Sequence, residues 1–557
     1  MQNENGKYPK LRNYADDKLS LDYQGPRSLL KGIGFTDEDL NKPRVAVINT
    51  WSEINPGHIH LKEVAEFVCR GVKEAGGFAC NFNALNLCDA IGGGPYVLPS
   101  RDLLVNEIEV IVEAHKFDAM VLLGTCDKII PALLMASGRL DLPTIIVTGG
   151  YMATGCVDNK NIDFIDIGIS VNKVKEGNMT LDELEKIIDN ACPAPGACGM
   201  MGTANTMILL TETIGLSMPE NSTTAATSPK LNDIAYKAGL QILELWKNNI
   251  TARKIITDDS IENAIKLCMA IGGSSNTIIH VPAVATESEL TIDCSEIYAK
   301  ASLEVPLLIG IRPNGEYTMK DFENAGGLGA LLNQIKDILN LEGITVTGKT
   351  LGENIKGYDV KNKNVIRSLD NPLENDGGLI LCKGNLVPEG AFIKQSAVPK
   401  KLNQFKGKAR VFNTVKSAID ALQNGIIVSG DAIVIVYQGV KAGPQSAYQF
   451  TSVLKGSHLK DEVITITDGR LSGAASGACF GYASPEAALG GPLAIVKDGD
   501  IIEYDIKERS LNINISDEEI KNRLKEFVFN RPSKRGYLGI YQKCVGSILK
   551  GAVLSGD

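Results

Sequence analysis

The chain has 557 residues and a formal net charge of −9, and its mean hydropathy is close to zero. This length allows two or more domains, each with a core of its own. The acidic balance and the lack of a lysine or arginine cluster argue against a nucleic-acid-binding protein. An anionic substrate would therefore need basic side chains placed locally.

The N-terminus and the cysteines indicate the compartment. The first residues are polar, and the sequence contains no apolar run of about eighteen residues, the length that a membrane helix needs. Twelve cysteines occur without a Cys-x-x-Cys pair, a pattern that favours reduced thiols over a disulfide framework. We therefore expect a cytoplasmic protein with no membrane partner.

Strands and helices alternate in the first part of the chain. Short apolar runs predict strands over residues 44–50, 78–87, 119–123 and 144–148. The intervening stretches carry apolar residues at helical spacing and have short connections. This alternation is typical of parallel strands in a doubly wound α/β domain, where ligands bind outside the carboxyl ends of the strands.

Polar residues follow three of these strands. Residues 55–60 follow the first strand, Cys88 and Asp89 the second, and Cys126, Asp127 and Lys128 the third. The last three would also fit an ordinary polar turn with an incidental cysteine. Because the ends of parallel strands share one edge, however, we expect the three turns to meet there. A thiol, a carboxylate and an amine at one point then predict a binding site.

Two glycine-containing segments follow. Cys198 lies in the turn 193–199, which opens a helical stretch, and a helix N-terminus would stabilise its thiolate as a metal ligand. Residues 272–276 fit a packing loop and an anion-binding loop equally well.

The second part of the chain is rich in predicted strands. A segment with many Gly, Asn, Asp and Lys residues places a domain boundary near 350–380, so that residues 1–370 and 371–557 form separate domains. Beyond it, apolar runs predict strands over residues 426–429, 432–437, 463–467 and 493–503, the last with a hairpin turn at Asp498-Gly499. With helices predicted over 415–423 and 517–528, this pattern indicates a β-barrel-like domain.

Small residues follow one of these strands. In the segment 467–477 they allow close approach of backbone to a ligand and leave the hydroxyl of Ser472 unencumbered. A flexible surface loop explains the composition equally well.

Five motifs of this chain occur in the order and spacing of the dihydroxy-acid and phosphogluconate dehydratase family, which the sequence resembles from about residue 25 to its end. They are Cys126-Asp-Lys-Ile-Ile-Pro131, Pro195-Gly-Ala-Cys-Gly199 with Thr203-Ala-Asn-Thr-Met207, Val346-Thr-Gly-Lys-Thr350, Lys383-Gly-Asn-Leu386 and Asp468-Gly-Arg-Leu-Ser-Gly473. The resemblance implies an N-terminal α/β domain, a C-terminal β-barrel-like domain, an iron–sulfur cluster and Mg²⁺. It also implies a homodimer or a dimer of dimers, with the site near the interface.

The resemblance extends to individual residues. Cys126 and Cys198 match the family's cluster cysteines. Asp89 and Asp127 match its magnesium-ligand aspartates, and Lys128 matches its carbamylated lysine, which also binds the metal.

Three features depart from the family pattern. Gly57 stands where some members have a third cluster cysteine, so that the cluster can be of the [2Fe–2S] or the [4Fe–4S] type. Tyr448 occupies the position of a magnesium-binding glutamate, which weakens or alters the metal site if nothing replaces it. The segment 89–101 is also about four residues shorter than is usual in the family and lacks its Gly-Met-x-Tyr element, which changes the wall of the substrate pocket.

The resemblance implies a hydro-lyase that converts a 2,3-dihydroxy carboxylic acid into a 2-keto acid, with Ser472 as the base. A branched-chain substrate from valine and isoleucine biosynthesis is the first hypothesis. The altered segments keep a sugar acid open as the substrate, and a non-catalytic paralogue that acts as a binding subunit is a third hypothesis. A zinc hydrolase is disfavoured because the five histidines form no His-x-x-x-His pair.

Overall fold

The computed structural model describes residues 8–13, 17–175, 177–375, 377–395, 398–444, 446–471, 477–530 and 534–555. Its strands are β1 (Arg44–Asn49), β2 (Phe78–Asn83), β3 (Ala119–Gly124), β4 (Thr144–Thr148), β5 (Gly155–Val157), β6 (Lys160–Ile162), β7 (Leu379–Cys382), β8 (Gly390–Lys394), β9 (Gln404–Phe412), β10 (Asp431–Ile435), β11 (Ile464–Thr467), β12 (Ala478–Ser484), β13 (Ile501–Asp505) and β14 (Ser510–Ile513).

The helices in the described parts of the chain lie mostly before residue 360. They are α1 (Leu21–Gly32), α2 (Asp37–Leu40), α3 (Leu61–Glu74), α4 (Asp89–Gly92), α5 (Pro99–His115), α6 (Ile129–Leu140), α7 (Phe164–Lys175), α8 (Leu181–Ala191), α9 (Thr203–Ile214), α10 (Pro229–Lys247), α11 (Ala252–Ile255), α12 (Asp258–Ala270), α13 (Thr277–Glu287), α14 (Cys294–Glu304), α15 (Met319–Asn324), α16 (Gly327–Gln334), α17 (Leu351–Ile355), α18 (Val415–Gln423), α19 (Tyr448–Lys455), α20 (Asp517–Glu526) and α21 (Gly536–Cys544). Within these described ranges, no helix is long and apolar enough to cross a membrane.

The N-terminal sheet is parallel, with the strand order β2-β1-β3-β4. The chain first moves outward from β1 to β2 and then crosses back to β3. Because parallel crossovers are right-handed, this reversal puts α3 on one face of the sheet and α5 and α6 on the other. The expected doubly wound α/β architecture is therefore confirmed, and its strand order reverses between β1 and β3.

The N-terminal strands form where short apolar runs predicted them. All six residues of β3 are buried, as are all five of β4, since helices cover both faces of the sheet. Strand β2 ends at Asn83, earlier than expected.

The C-terminal sheet has eight strands in the order β14-β13-β9-β10-β11-β12-β8-β7. Strands β9 to β12 are parallel, and antiparallel strands flank them on both sides. Lys383, next to β7, exchanges backbone hydrogen bonds with Arg509 and Leu511 at the start of β14, both at 3.0 Å. These bonds join the first and last strands of the order, so the expected barrel-like sheet is confirmed. The domain division at residues 370/371 stays a prediction.

Two strand predictions in this part are wrong. Residues 426–429 form a turn between Gly425 (φ +69°) and Gly430 (φ +84°), with Ile426 and Val428 about half exposed. The Asp498-Gly499 turn does not join two strands, because residues Pro492–Ile495 before it form a 3₁₀ turn. Asp498 instead accepts the N–H of Val411 at 2.7 Å, so this turn caps β9.

Two glycines let helices α3 and α10 approach closely. A Cβ on Gly239 would lie 2.2 Å from the carbonyl oxygen of Val68, and a Cβ on Gly71 would lie 2.2 Å from that of Tyr236. This crossing fixes α3 and α10 together above the N-terminal sheet.

Gly239→Ala should lower the stability of the protein. Alanine favours a helix over glycine by ~1 kcal/mol, but the added methyl group would meet backbone, which costs about 1–3 kcal/mol in a packed interior. The thermal unfolding midpoint measures the result. Gly168→Ala is the matched control in α7, because nothing lies within 4 Å of its Cβ position; this variant should be neutral or stabilising. Equal midpoints for the two variants would contradict the close crossing.

Asp468 holds together the strand ends of the C-terminal sheet. It follows β11 and accepts backbone N–H groups of Gln438 at 2.9 Å, Ala487 at 3.0 Å and Tyr437 at 3.2 Å. Burial raises the pKa of this carboxyl group to about 6, although the three N–H groups act against the rise. The folded protein therefore binds a proton at Asp468 between about pH 4 and pH 6, where the unfolded chain does not.

The stability that Asp468 contributes should therefore fall as the pH rises through this window. Relative to Asp468→Asn, which cannot titrate, the unfolding free energy of the native sequence should decrease by roughly 1.4 kcal/mol per pH unit between pH 4 and pH 6. Urea unfolding of both proteins at pH 4.5, 5.5 and 7 measures this difference. A difference that is constant or grows with pH would refute it.

Candidate active site

A cavity of about 460 Å³ lies at the carboxyl end of the N-terminal sheet. Its wall includes Cys88 and Asp89 after β2, and Cys126, Asp127 and Lys128 after β3. It is therefore located where the strand order reverses, the usual ligand site of a doubly wound sheet. The predicted meeting of these turns at one edge is confirmed.

The turn after β1 holds Cys126 in place through hydrogen bonds. The Cys126 N–H donates to Nε2 of His58 at 3.1 Å, and Nδ1 of His58 lies 2.8 Å from the carbonyl oxygen of Thr50. With Nδ1 donating and Nε2 accepting, the ring is the neutral tautomer. Burial lowers the pKa of His58 to about 3, so the ring remains neutral at physiological pH. His58 thus positions the Cys126 turn, and both of its nitrogens are already engaged.

Gly57 lies against the Cys126 sulfur. A Cβ at position 57 would be 2.7 Å from Sγ of Cys126 and 3.2 Å from Oδ1 of Asn55. The same Asn55 oxygen accepts the Gly57 N–H at 2.9 Å and the Cys126 thiol at 3.4 Å. Position 57 is therefore adjacent to Cys126, and a side chain there would displace the thiol from its present place.

The charged residues of the cavity form a compact group. Nζ of Lys128 donates to Oδ2 of Asp89 at 2.8 Å, and the Lys128 side chain is almost fully buried. The other oxygen of Asp89, Oδ1, is buried without a hydrogen-bond partner. Burial raises the pKa of Asp127 and the negative charge of Asp89 raises it further, whereas Lys128 and hydrogen bonds from Thr203 and Ala204 oppose the rise. Two carboxylates and an unsatisfied oxygen offer oxygen ligands to a cation, although the described residues do not bring three or more His, Cys, Asp or Glu side chains together around one point.

Three thiols line the cavity, those of Cys88, Cys126 and Cys198. Burial raises the pKa of each, and the negative charges of neighbouring thiolates and of Asp127 add to the rise for Cys126 and Cys198. The expectation that a helix N-terminus lowers the pKa of Cys198 is wrong, because α9 begins only at Thr203. These thiols are protonated at neutral pH unless a positive centre draws off their protons.

The segment 272–276 packs against the start of α9. Asn276 lines the cavity, donates to Oγ1 of Thr203 at 2.9 Å and accepts the hydroxyl of Tyr482 at 3.0 Å. Oγ of Ser274 lies 2.9 Å from the same Thr203 oxygen. Asn276 is a site residue that the sequence patterns did not reveal. Its only signal was the Gly-Gly-Ser-Ser turn before it.

The C-terminal part closes the other side of the cavity with Ser446, Gln449, Arg470 and Leu471. Ser472, the predicted base, lies outside the described residues, but its neighbour Leu471 is on the cavity wall. Helix α19 begins at Tyr448, whose side chain also lies outside what the structure describes.

Much of the remaining wall is apolar. The contributing side chains are those of Pro95, Val97, Phe164, Ile165, Met200 and Leu471. An apolar wall favours an alkyl group of a ligand, because alkyl burial is favourable whereas a hydroxyl buried without a partner is costly. The cavity therefore combines a polar end with an apolar side.

Comparison with known proteins agrees with this arrangement. Residues 42–354 match the family model for the N-terminal part of dihydroxy-acid/6-phosphogluconate dehydratases, and residues 364–552 match the model for the C-terminal part. A protein named dihydroxy-acid dehydratase from Caldicellulosiruptor saccharolyticus is 44% identical over 537 residues, which are 95% of this chain and 97% of the relative.

Archaeal relatives give the same result. A dihydroxy-acid dehydratase from Methanococcoides burtonii is 42% identical over 97% of this chain and 99% of its own length. One from Methanothermobacter thermautotrophicus is 43% identical over 95% of this chain and 97% of its own. The resemblance found in the sequence is thus confirmed, and the chain belongs to the dihydroxy-acid/6-phosphogluconate dehydratase family.

Proposed function

We propose that this protein is a hydro-lyase that converts a branched-chain 2,3-dihydroxy carboxylic acid into the corresponding 2-keto acid. The observation that carries the proposal is the presence of thiols and carboxylates on one cavity wall. Cys126 and Cys198 offer soft ligands there, and Asp89 and Asp127 offer hard ones. Few functions other than holding two kinds of metal centre need both sets in one cavity.

The cavity thiols fit an iron–sulfur cluster. Cys126 and Cys198 are the matched ligands, and Cys88 is the further thiol on the same wall, where Gly57 offers none. Both ring nitrogens of His58 are engaged in hydrogen bonds, and neither His58 nor His60 lines the cavity. When bound, the cluster would supply an iron that acts as a Lewis acid toward the C3 hydroxyl group.

Asp89 and Asp127 fit Mg²⁺, which prefers oxygen ligands. The buried Oδ1 of Asp89 lacks a partner, and Asp127 is destabilised as an anion by burial and by Asp89. Carbamylation of Lys128, as in the family, would replace its ammonium by an anion and release Oδ2 of Asp89 for the metal. When bound, Mg²⁺ would fix the substrate carboxylate and lower the pKa of groups beside it.

The chain's own residues then move the proton. Ser472, as an alkoxide, would take the C2 proton while the C3 hydroxyl leaves, and the Ser472 hydroxyl would return this proton to the departing group, which gives water and restores the alkoxide. The resulting enol tautomerises to the 2-keto acid. The role of Ser472 rests on the family motif and on the position of Leu471, the residue before it, on the cavity wall.

The apolar wall supports a branched-chain substrate over a sugar acid. A sugar acid would bring hydroxyl groups against Val97, Phe164 and Ile165, where no partner is available on those side chains. The shortened segment 89–101 forms part of the same wall and is the feature that keeps a sugar acid as the second candidate. A cytoplasmic homodimer, expected from the sequence, is part of this proposal and rests on the N-terminus and on the family resemblance.

The activity test uses anaerobically purified protein with iron and sulfide restored. We expect it to form a 2-keto acid from 2,3-dihydroxyisovalerate at a kcat/KM at least tenfold higher than from any member of a set of aldonates. Preference for an aldonate would establish the sugar-acid alternative. No product from either class, with a full complement of iron, would favour the non-catalytic paralogue.

The cluster ligands are tested by iron and sulfide content. Cys126→Ser, Cys198→Ser and Cys88→Ser should each lower both contents per chain and weaken the visible absorption of the cluster, because serine is a poor soft ligand. Cys156→Ser is the matched control, since Cys156 is exposed and does not line the cavity. Full iron content in Cys88→Ser would remove Cys88 from the ligand set, and full content in all three would refute the cluster site.

A further inference from the structure

Three cations surround the buried ring of His280. Lys128, Arg101 and Arg470 all lower the pKa of His280 through their charges, in addition to the larger effect of burial. Lys128 and Arg470 line the cavity, and Arg101 lies behind it at the start of α5. The cavity is thus lined by two cationic side chains beside the carboxylates of Asp89 and Asp127.

Two of these cations have a carboxylate of their own. Lys128 bonds Asp89 at 2.8 Å. Arg101 contacts Asp102 at 3.1 Å, and it also donates to the backbone carbonyls of Gly551 and Ala552. Both charges are therefore compensated within the fold.

Arg470 has no such partner among the described residues. Arg470 is only 6% exposed, and its buried Nε atom has no hydrogen-bond acceptor. The segment 472–476, which follows it, consists of Ser, Gly and Ala and so contains no carboxylate. The guanidinium group of an arginine carries a permanent positive charge.

The ionisable groups near Arg470 do not supply the missing charge. Its charge acts on Tyr482, Tyr541 and His280. Burial raises the pKa of both tyrosines and lowers that of His280, so all three are neutral at physiological pH. Within the described residues, the positive charge of Arg470 therefore has no carboxylate paired with it at the cavity wall.

The backbone of Arg470 is held firmly. Its carbonyl oxygen accepts the Ala447 N–H at 3.1 Å, and the preceding Gly469 accepts the Tyr482 N–H at 3.0 Å. A Cβ at position 469 would lie 2.5 Å from Cβ of Gln438, so Arg470 begins from a closely packed turn. A cation held this way is preorganised for a ligand, which lowers the cost of binding one.

We propose that Arg470 binds the carboxylate of the substrate, as the one cavity-lining cation in the described residues without a carboxylate of its own. The proposal deepens the proposed function and rests on it for the identity of the substrate. The planar guanidinium group can donate two parallel N–H bonds to a carboxylate. It would hold the acid end in the polar part of the cavity, beside the site proposed for Mg²⁺, and leave the alkyl end to the apolar wall.

The test compares Arg470→Gln and Arg470→Lys with the native sequence in iron-loaded protein. Calorimetric binding of 2-ketoisovalerate and of its uncharged amide, measured without added Mg²⁺ because that ion would itself hold the carboxylate, needs no turnover. The native protein should bind the acid more tightly than the amide by about 10- to 100-fold, the usual effect of a hydrogen bond to a charged group. Arg470→Gln should lose this preference, and Arg470→Lys should retain part of it. In turnover, KM should rise more than kcat falls.

Arg523→Gln is the matched control, because Arg523 is also largely buried but pairs with Asp500, and neither residue lines the cavity. It should keep both the preference and the activity. Circular dichroism and iron content verify that each variant is folded and loaded.

Several outcomes overturn the proposal. It fails if Arg470→Gln retains the preference for the acid, or if the native protein binds the acid and the amide equally. A native protein that binds the acid through Arg470 but never forms a 2-keto acid from 2,3-dihydroxyisovalerate would support this inference and refute the proposed function. Turnover by Arg470→Gln with an unchanged KM would support the proposed function and refute this inference.

Discussion

The right-handedness of parallel crossovers is the constraint on which the site depends. Once the chain leaves β1 for β2 and returns to β3, its helices must divide between the two faces, and a crevice opens where the strand order reverses. The turns that carry Cys126 and Gly57 flank this crevice and contact each other across it. Side chains far apart in sequence thus become neighbours because of backbone topology, before any specific contact between them is considered.

Desolvation then determines the chemical character of these side chains. Burial makes the thiols of Cys126 and Cys198 weak acids and makes the carboxyl group of Asp127 reluctant to ionise. Such groups favour a bound cation, because its positive charge stabilises their ionised forms away from water. On the opposite wall Arg470 favours an anion for the same reason. One side of the cavity therefore favours a cation and the other an anion. A ligand bound between a metal ion and the guanidinium group would satisfy both.

Sequence patterns predicted the buried strands well and the exposed turns poorly. Strands β1, β3 and β4 are covered on both faces, so continuous apolar runs mark them clearly. Ile426 and Val428 belong to an equally apolar run, but tertiary packing buries only Ile427 between them, and the chain turns. The Asp498-Gly499 signal was correct as a turn and wrong as a hairpin, because the partner of β13 on that side is β9, distant in sequence. Asn276 and Arg470 were missed as site residues since only tertiary structure brings them to the cavity.

The bonds of Lys383 to Arg509 and Leu511 join the two ends of the C-terminal sheet and leave it without a long unpaired edge. An unpaired edge strand is a template for pairing with other chains, so closure protects the finished protein from aggregation. The protection arrives late, because the two ends of the sheet are separated by more than a hundred residues of sequence. During synthesis the edge of β7 stays open until β14 has emerged from the ribosome. In the interval between those two events, the open edge of β7 is exposed to pairing with other chains.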